Sequence, residues 1–319
     1  MTMDLIPLAA GGINDVSTEL NPAFQFAMKA LIAVFLLGVA LDSKPSDFRV
    51  VARRPWVFAA VLGTQYVVLP AITVGLIAVL DVVPSVALGM VFVVCCPSGS
   101  LSNLMTHRAH GDVALSVSLT TASNGVALIA TPLAFAFWGS INPETDQLMR
   151  TIHLDALEMA FQIVFLIGVP FAIGIWIAHR WPDVAARMRK PVEIGTLVVL
   201  TTVSLGALAG KLDIMLAHLG AVALAVLIQN AVSFGAGYGV GRAMRLPEHS
   251  VRATTIEIGM RNTGLALILV LAYFDGLGGA VLLVAAWAVW DVLVGLGVAQ
   301  TWRRRGAPVG APEPAAERG

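Results

Sequence analysis

Long apolar stretches recur along this chain, separated by short polar segments. A membrane-spanning helix needs roughly 20 predominantly apolar residues, and nine stretches come near or exceed that length. They are Asn21–Leu41, Pro55–Val79, Ser85–Thr106, Val113–Trp138, His153–Ala178, Glu193–Ala209, Met215–Arg242, Ser250–Phe274 and Gly278–Trp302. The pattern therefore predicts an all-α membrane protein with about nine transmembrane helices.

The composition supports a membrane protein. Of the 319 residues, 57% are hydrophobic and only 13% are charged, whereas a soluble domain has about 25% charged residues. The formal net charge of +0 gives no basic surface for nucleic acid. Two adjacent cysteines in an apolar run, Cys95 and Cys96, make neither a disulfide framework nor a metal set. We therefore expect the protein to lie in a lipid bilayer. We expect no nucleic acid partner, and the sequence implies no oligomer.

The spans form two groups that flank a polar segment. Residues 21–138 hold four spans and residues 151–303 hold five, so a repeat that starts at the front would lack one helix. Residues 1–20 are too mixed to span and lack the basic start of a signal peptide, and residues 304–319 are expected to be a disordered tail. Most Lys and Arg residues fall in loops on one side. The positive-inside rule then predicts an inner (plasma) membrane protein with its N-terminus outside and its C-terminus in the cytoplasm.

Two spans contain residues that disfavour a continuous helix. The third contains "CCPSGSLSN" at residues 95–103, where Pro97 removes a helix hydrogen bond and the Ser-Gly-Ser that follows propagates a helix poorly. The eighth contains "EIGMRNTG" at residues 257–264, with two glycines and an asparagine. Freed backbone groups are tolerated within a membrane only where they line a cavity or meet a ligand. Paired interruptions in two halves of a chain therefore indicate a transport site.

Three stretches resemble the bile acid:sodium symporter family. They are "LLGVALDSKPSDF" at 36–48, "CCPSGSLSNLMTHRAHGDVALSVSLTT" at 95–121 and "EIGMRNTGLAL" at 257–267. The second is the most specific, because Cys-Pro, Ser-Asn and Gly-Asp-Val-Ala-Leu-Ser occur together in order. The resemblance runs over almost the whole chain. It implies a panel domain and a core domain with inverted repeats, in which the two broken helices cross.

The same resemblance implies a first sodium site. Its ligands fall on five positions of this chain: Ser102, Asn103, Ser116, Thr120 and Glu257. The residue types agree with this, because sodium is a hard cation that prefers oxygen ligands, and Ser116 and Thr120 lie four apart on one helix face. The alternative is that the hydroxyls join helices by hydrogen bonds worth about 0.6 kcal/mol each.

A second sodium site is implied less completely. The resemblance assigns it Glu257, the glutamine Gln65 and the carbonyls of Ile258 and Met260, but Arg261 stands where another glutamine should be. Arginine stays protonated and repels a nearby cation.

Arg261 is open to three interpretations. It replaces one sodium as a built-in cation; it pairs with Glu257 four residues earlier on the same helix; or it grips a substrate carboxylate with its planar fork. The first would reduce the coupling to one sodium per cycle.

Further residues are candidates for the substrate site. Asp291, near the centre of the last span, could pair with Arg261, bind a proton or line the cavity, since ionisable residues within a membrane are usually functional. Ser100 and Asn262 match positions at the two crossovers that face the substrate. Gln229 and Asn230, and the small residues of "GAGYGVG" at 235–241, are expected to join helices.

The predicted function is sodium-coupled import of a small organic anion by alternating access, with sodium as the coupling ion. Substrates implied by the resemblance include bile acids, steroid sulfates and small carboxylates. The alternatives are a proton-coupled or uncoupled organic-anion carrier of the same fold. An intramembrane hydrolase is disfavoured, because all six histidines fall in loops or at span ends and leave Ser98 and Ser100 without a base. A channel suits two separated helix breaks less well than a carrier does.

Overall fold

The computed structural model of the chain is helical throughout the part that it describes. That part comprises residues 53–151, 156–188, 212–273 and 277–308, with scattered residues of 30–41 and 191–199. Within these ranges no strand occurs. The prediction of an all-α protein is confirmed.

The described residues 53–151 form six helices and one π-helical turn. The helices are α1 (Pro55–Gly63), α2 (Leu69–Leu80), α3 (Pro84–Cys95), α4 (Leu101–Arg108), α5 (Val113–Gly139) and α6 (Pro143–Thr151). The π-helical turn, Thr64–Val68, joins α1 to α2 in one continuous span. Neither this turn nor the short helix α6 was predicted from the sequence.

Within the described ranges 156–188, 212–273 and 277–308, the second half has five helices. They are α7 (Ala156–Arg180), α8 (Leu212–Ala243), α9 (Glu248–Gly259), α10 (Thr263–Tyr273) and α11 (Gly278–Arg304). Five segments of the described residues are long and apolar enough to cross a membrane: Pro55–Leu80, Val113–Gly139, Leu219–Ala243, Glu248–Leu271 and Gly278–Arg304. The first and sixth predicted spans lie largely outside the described residues. The count of nine, the inverted repeat and the domain division therefore stay predictions.

The first interruption separates α3 from α4. Pro97 has no N–H to donate, and Cys96 just before it is extended, with φ −76° and ψ 150°. The carbonyl that ends α3, that of Cys95, accepts a hydrogen bond of 2.7 Å from Thr131 Oγ1 on α5. The freed backbone group is therefore satisfied by a neighbouring helix rather than by water.

The second interruption separates α9 from α10 and contains no proline. Met260 is extended, with φ −97° and ψ 135°. The next two amides leave the helix pattern, since the N–H of Arg261 donates to Asp291 and the N–H of Asn262 donates to the Pro97 carbonyl. Both predicted interruptions are present, and partners outside α9 and α10 hold this one open.

The interrupted helices occupy the middle of the bundle. Every residue of α3 from Ser85 to Cys95 is buried, and so is every residue of α9 from Ser250 to Gly259. Close packing needs small residues here: a Cβ on Gly237 of α8 would lie 2.8 Å from the Cα of Thr255 on α9. A Cβ on Gly241 would lie 3.1 Å from the Cα of Val251. The prediction that "GAGYGVG" packs helices closely is confirmed at these two glycines.

Candidate functional site at the helix crossover

The two interruptions meet at the centre of the molecule. The Asn262 N–H donates to the Pro97 carbonyl at 2.8 Å, and a Cβ on Gly99 would lie 3.4 Å from the Cα of Asn262. Asn262 also starts α10, because its Oδ1 accepts from the N–H of Leu265 at 3.0 Å. The interrupted helices therefore cross in direct backbone contact.

Glu257, in the last turn of α9, is fully buried and points at hydroxyl groups from the other half of the chain. Its Oε1 accepts from Ser98 Oγ and, at 2.8 Å, from Thr120 Oγ1. Its Oε2 accepts from Ser102 Oγ at 2.8 Å and from Ser116 Oγ at 3.2 Å. A carboxylate taken out of water needs such donors or a cation. The carboxylate thus lies in a cage of oxygen atoms.

Asn103 closes this cage on the side of α4 and α5. Its Oδ1 lies 2.8 Å from Ser116 Oγ and 3.1 Å from Thr120 Oγ1. All five residues that the family resemblance assigns to the first sodium site are therefore brought together. Ser98, which donates to Glu257, was missed, although it lies in the same Ser-Gly-Ser segment as Ser100.

The cage contains more acceptors than its hydroxyl protons can serve. The single proton of Thr120 has three acceptors in reach: Glu257 Oε1 at 2.8 Å, Asn103 Oδ1 at 3.1 Å and the Ser116 carbonyl at 3.0 Å. The proton of Ser102 has two, the Gly99 carbonyl and Glu257 Oε2, both at 2.8 Å. Oxygen lone pairs therefore face one another, an arrangement that a hard cation stabilises.

The start of α5 is fixed so that its hydroxyls face the cage. Asp112 caps this helix by accepting from the Leu115 N–H at 3.0 Å. The other oxygen of Asp112 accepts from Ser250 Oγ on α9, also at 3.0 Å. One carboxylate therefore sets the register of the two helices that contribute Ser116, Thr120 and Glu257.

The residues predicted for a second sodium site are buried in two segments, the π-helical turn and the end of α9 with the interruption that follows it. Gln65 is fully buried in the π-helical turn, and its Oε1 accepts from Ser123 Oγ at 3.0 Å. Ile258 lies in the last turn of α9 and Met260 lies in the interruption; both are buried. A π-helical turn often marks a functional position, but neither it nor Ser123 was predicted here.

Arg261 lies in the second interruption with 3% of its surface exposed. Its Nη1 is 3.5 Å from the Cys96 carbonyl, a long contact. Its Nε and Nη2 have no hydrogen-bond partner among the residues that the structure describes. These two nitrogens form the edge of a guanidinium that binds a carboxylate in the bidentate mode.

The interpretation of Glu257 and Arg261 as a pair on one helix is wrong. Helix α9 ends at Gly259, between the two residues, so their four-residue spacing does not correspond to one helical turn. Across the described part of the chain, no ion pair joins Arg261 to a carboxylate within 4.0 Å. Glu257 instead faces the hydroxyl cage of α4 and α5.

Asp291 of α11 contacts the interruption through the main chain of Arg261 rather than through its guanidinium. Its Oδ2 accepts from the Arg261 N–H at 3.0 Å, and its Oδ1 accepts from Asn230 Nδ2 at 3.1 Å. Gln229, next to Asn230, bonds Thr73 Oγ1 and the Met90 carbonyl and so joins helices, as predicted. The hydrogen bond between Asn230 and Asp291 was not predicted from the sequence.

Ser100 and Asn262 flank the crossover as predicted. Ser100 immediately precedes α4 and is half-buried, whereas Asn262 is 8% exposed and caps α10 through its side chain. Asn262 therefore stabilises the start of α10, in addition to the substrate contact that the resemblance implies.

Two interrupted helices that cross at a buried polar cluster define a class, the membrane carriers with discontinuous helices. Residues 29–218, well over half of the chain, match the model of the Sodium Bile acid symporter family. The chain belongs to that family. It is therefore a multi-pass membrane transporter rather than an enzyme, as the sequence predicted.

Relatives match over most of the chain. The uncharacterized sodium-dependent transporter YocS of Bacillus subtilis is 24% identical over 274 residues, which cover 86% of this chain and 82% of the relative. The probable chloroplastic sodium/metabolite cotransporter BASS2 of rice is 27% identical over 283 residues, covering 87% of this chain and 64% of that protein. The human ileal sodium/bile acid cotransporter is 26% identical over 253 residues, covering 79% and 70% respectively.

Proposed function

We propose that this protein imports a small organic anion together with one sodium ion by alternating access. The observation that carries the proposal is the oxygen cage around Glu257, in which Ser102, Asn103, Ser116 and Thr120 converge on one carboxylate. The relatives named as sodium-dependent transporters or cotransporters support sodium as the coupling ion.

The cage suits a monovalent hard cation. The side-chain atoms that would bind the cation are all oxygen atoms, and they include a single carboxylate. The hydroxyls that donate to Glu257 can rotate to present their lone pairs instead, while the carboxylate supplies the compensating charge. Loading with sodium thus needs only local reorientation of four hydroxyl groups. Each of them comes from α4, α5 or the segment before α4, so the ion joins the two interrupted helices.

Arg261 is proposed to take the place of a second sodium ion. Three charged side chains are buried at the crossover: Glu257, Asp291 and Arg261. Among the described residues, the remaining buried charges, Asp112 and Arg252, each have an opposite charge within 4.0 Å elsewhere. Two carboxylates and one guanidinium leave a charge of minus one. Before the anion binds, one sodium ion neutralises it, whereas two would leave an excess positive charge in a low-dielectric site.

The substrate is proposed to be an anion that binds beside the crossover. Ser100 and Asn262 flank this region, and Arg261 keeps its Nε–Nη2 edge without a partner in the described structure. A substrate carboxylate fits that edge. The guanidinium can compensate Glu257 in one state of the transport cycle and contact the substrate in another.

Sodium-driven uptake into proteoliposomes tests this function. The purified protein is reconstituted and offered labelled bile acids, steroid sulfates and small carboxylates, with either an inward sodium gradient or an equal potassium gradient. Uptake of at least one anion that requires the sodium gradient is expected. Uptake that is equal under the two gradients, or that follows only an imposed proton gradient, contradicts sodium coupling.

A further inference from the structure

Asp291 and Asn230 form a buried pair that the sodium cage does not use. The Asp291 carboxylate is 3% exposed and accepts one hydrogen bond on each oxygen, from the Arg261 N–H and from Asn230 Nδ2. Asn230 is 1% exposed, and its Oδ1 has no hydrogen-bond partner among the described residues. A buried acceptor without a donor is costly, typically by about 1–3 kcal/mol.

A proton on Asp291 would give this orphan acceptor a partner. An amide can turn by half a rotation and exchange the places of its oxygen and nitrogen. The protonated Asp291 then donates from Oδ1 to Asn230 Oδ1, while Oδ2 still accepts from the Arg261 N–H. The pair therefore forms a hydrogen bond in either protonation state of Asp291.

Among the described residues, few charged groups act on this carboxylate. On the interruption between α9 and α10, Arg261 attracts it through space, and Glu257 faces away into its cage. Asn230 is the partner on α8, while α3 and the residue after it contribute only the thiols of Cys95 and Cys96. On α4 the ionisable side chains, His107 and Arg108, are exposed at the far end, and on α10 Tyr273 alone is ionisable. Apart from burial and its two hydrogen bonds, the protonation of Asp291 is thus set mainly by the charge at the crossover.

That charge changes during the proposed transport cycle. With an ionised Asp291, the empty crossover carries minus one, the sodium-loaded crossover is neutral, and the crossover loaded with sodium and a monovalent anion again carries minus one. With a proton on Asp291, the first and third states are neutral and the second is positive. Burial of net charge is disfavoured. Neutrality thus favours the protonated form in the empty and fully loaded states, and the ionised form when sodium alone is bound.

We infer that Asp291 exchanges a proton during transport: sodium binding releases the proton to solvent, and anion binding takes one up again. This inference rests on the proposed function, since it assumes one sodium ion at Glu257. The proton returns before the cycle is complete, so it regulates charge and is not cargo. Transport of sodium with a monovalent anion is then electroneutral.

Proton release on sodium binding tests this inference with sodium chloride as the probe. Purified protein in detergent and almost unbuffered solution is mixed with a pH indicator dye, and sodium chloride or choline chloride is added at several starting pH values. Sodium binding is followed in parallel by calorimetry. Sodium, but not choline, is expected to release up to one proton per bound ion. By linkage, the sodium affinity should weaken by up to about tenfold for each unit that the pH falls through the titration of Asp291.

Variants assign the proton to Asp291. Asp291→Asn should bind sodium without releasing a proton and with an affinity that does not change with pH, whereas the surface control Asp146→Asn should behave as the unsubstituted protein does. If Asp291→Asn does not fold, Asn230→Ala provides the test, because loss of the amide should shift proton release along the pH axis. An unshifted release in Asn230→Ala contradicts the pairing.

The possible outcomes separate the two proposals. If sodium does not bind at all, both the proposed function and this inference are overturned. If sodium binds without releasing a proton, sodium coupling stands and the exchange at Asp291 is wrong. Release that persists in Asp291→Asn assigns the proton to another group, such as Glu257, and also overturns the inference.

Discussion

The Asn262 N–H donates to the Pro97 carbonyl at 2.8 Å, so a backbone group freed in one interrupted helix is paired with a backbone group freed in the other. This bond joins residues that lie far apart in the sequence and fixes where the two helices cross. Glu257 on α9 and Ser102 on α4 lie within one or two turns of the crossing, and their side chains meet at 2.8 Å. A shift of either helix would therefore change the oxygen cage directly.

The first prediction concerns the carboxylate of the cage. Glu257→Gln should weaken sodium binding by at least roughly a hundredfold, because a neutral amide replaces the carboxylate around which the described cage is built, at a site of low dielectric constant. Binding of radioactive sodium to purified protein measures this. Glu144→Gln, the same substitution at an exposed position of α6, should leave binding unchanged. Sodium binding retained within a few-fold in Glu257→Gln would place the ion elsewhere.

The second prediction concerns one hydroxyl ligand. Thr120→Val keeps the shape of the side chain but removes the oxygen that lies 2.8 Å from Glu257. Sodium affinity should fall by about 1–3 kcal/mol, or roughly fivefold to a hundredfold. The concentration of sodium that gives half-maximal uptake is the measurement.

Ser118 on the same helix provides the matched control for this substitution. Its hydroxyl is buried but donates to the Ala114 carbonyl of its own helix, away from the cage. Ser118→Ala should therefore leave the sodium dependence as it is. Equal effects of Thr120→Val and Ser118→Ala would indicate a general packing defect rather than the loss of a ligand.

The third prediction concerns the stoichiometry of coupling. Arg261→Gln should raise the Hill coefficient for sodium from about one toward two, because it removes the fixed cation that repels a second ion. Arg261→Lys keeps the charge and should leave the coefficient near one. Sodium-dependent uptake across a range of sodium concentrations measures both. An unchanged coefficient in Arg261→Gln would show that the guanidinium does not replace an ion.

The fourth prediction concerns the packing that holds α9. Gly237→Ala should destabilise the protein by about 1–3 kcal/mol, because its Cβ would lie 2.8 Å from the backbone of α9 at Thr254 and Thr255. The melting temperature in detergent should fall by a few degrees. Gly239→Ala on the same helix meets nothing within 4 Å and is the control. Equal melting temperatures for the two variants would contradict this close contact.

The sequence by itself determined the class of protein and indicated both helix interruptions, although only the first contains a proline. Apolar stretches of spanning length can be recognised without a structure, since the bilayer imposes the same requirement on every helix. The first interruption is also local, because Pro97 cannot donate a hydrogen bond wherever it is placed. The spacing of Ser116 and Thr120 on one helix similarly predicted a shared face, although only the family resemblance connected them to Glu257.

Tertiary structure decided the rest. The second interruption contains no proline, and it is held open by Asp291 and Pro97, which are distant in the sequence. For the same reason, the four-residue spacing of Glu257 and Arg261 left open a helical pair that the broken helix prevents. The partnership of Asn230 with Asp291 and the position of Ser98 beside Glu257 depend on how separate helices pack. Periodicity describes one helix at a time, whereas these side chains gain their partners only when several helices come together.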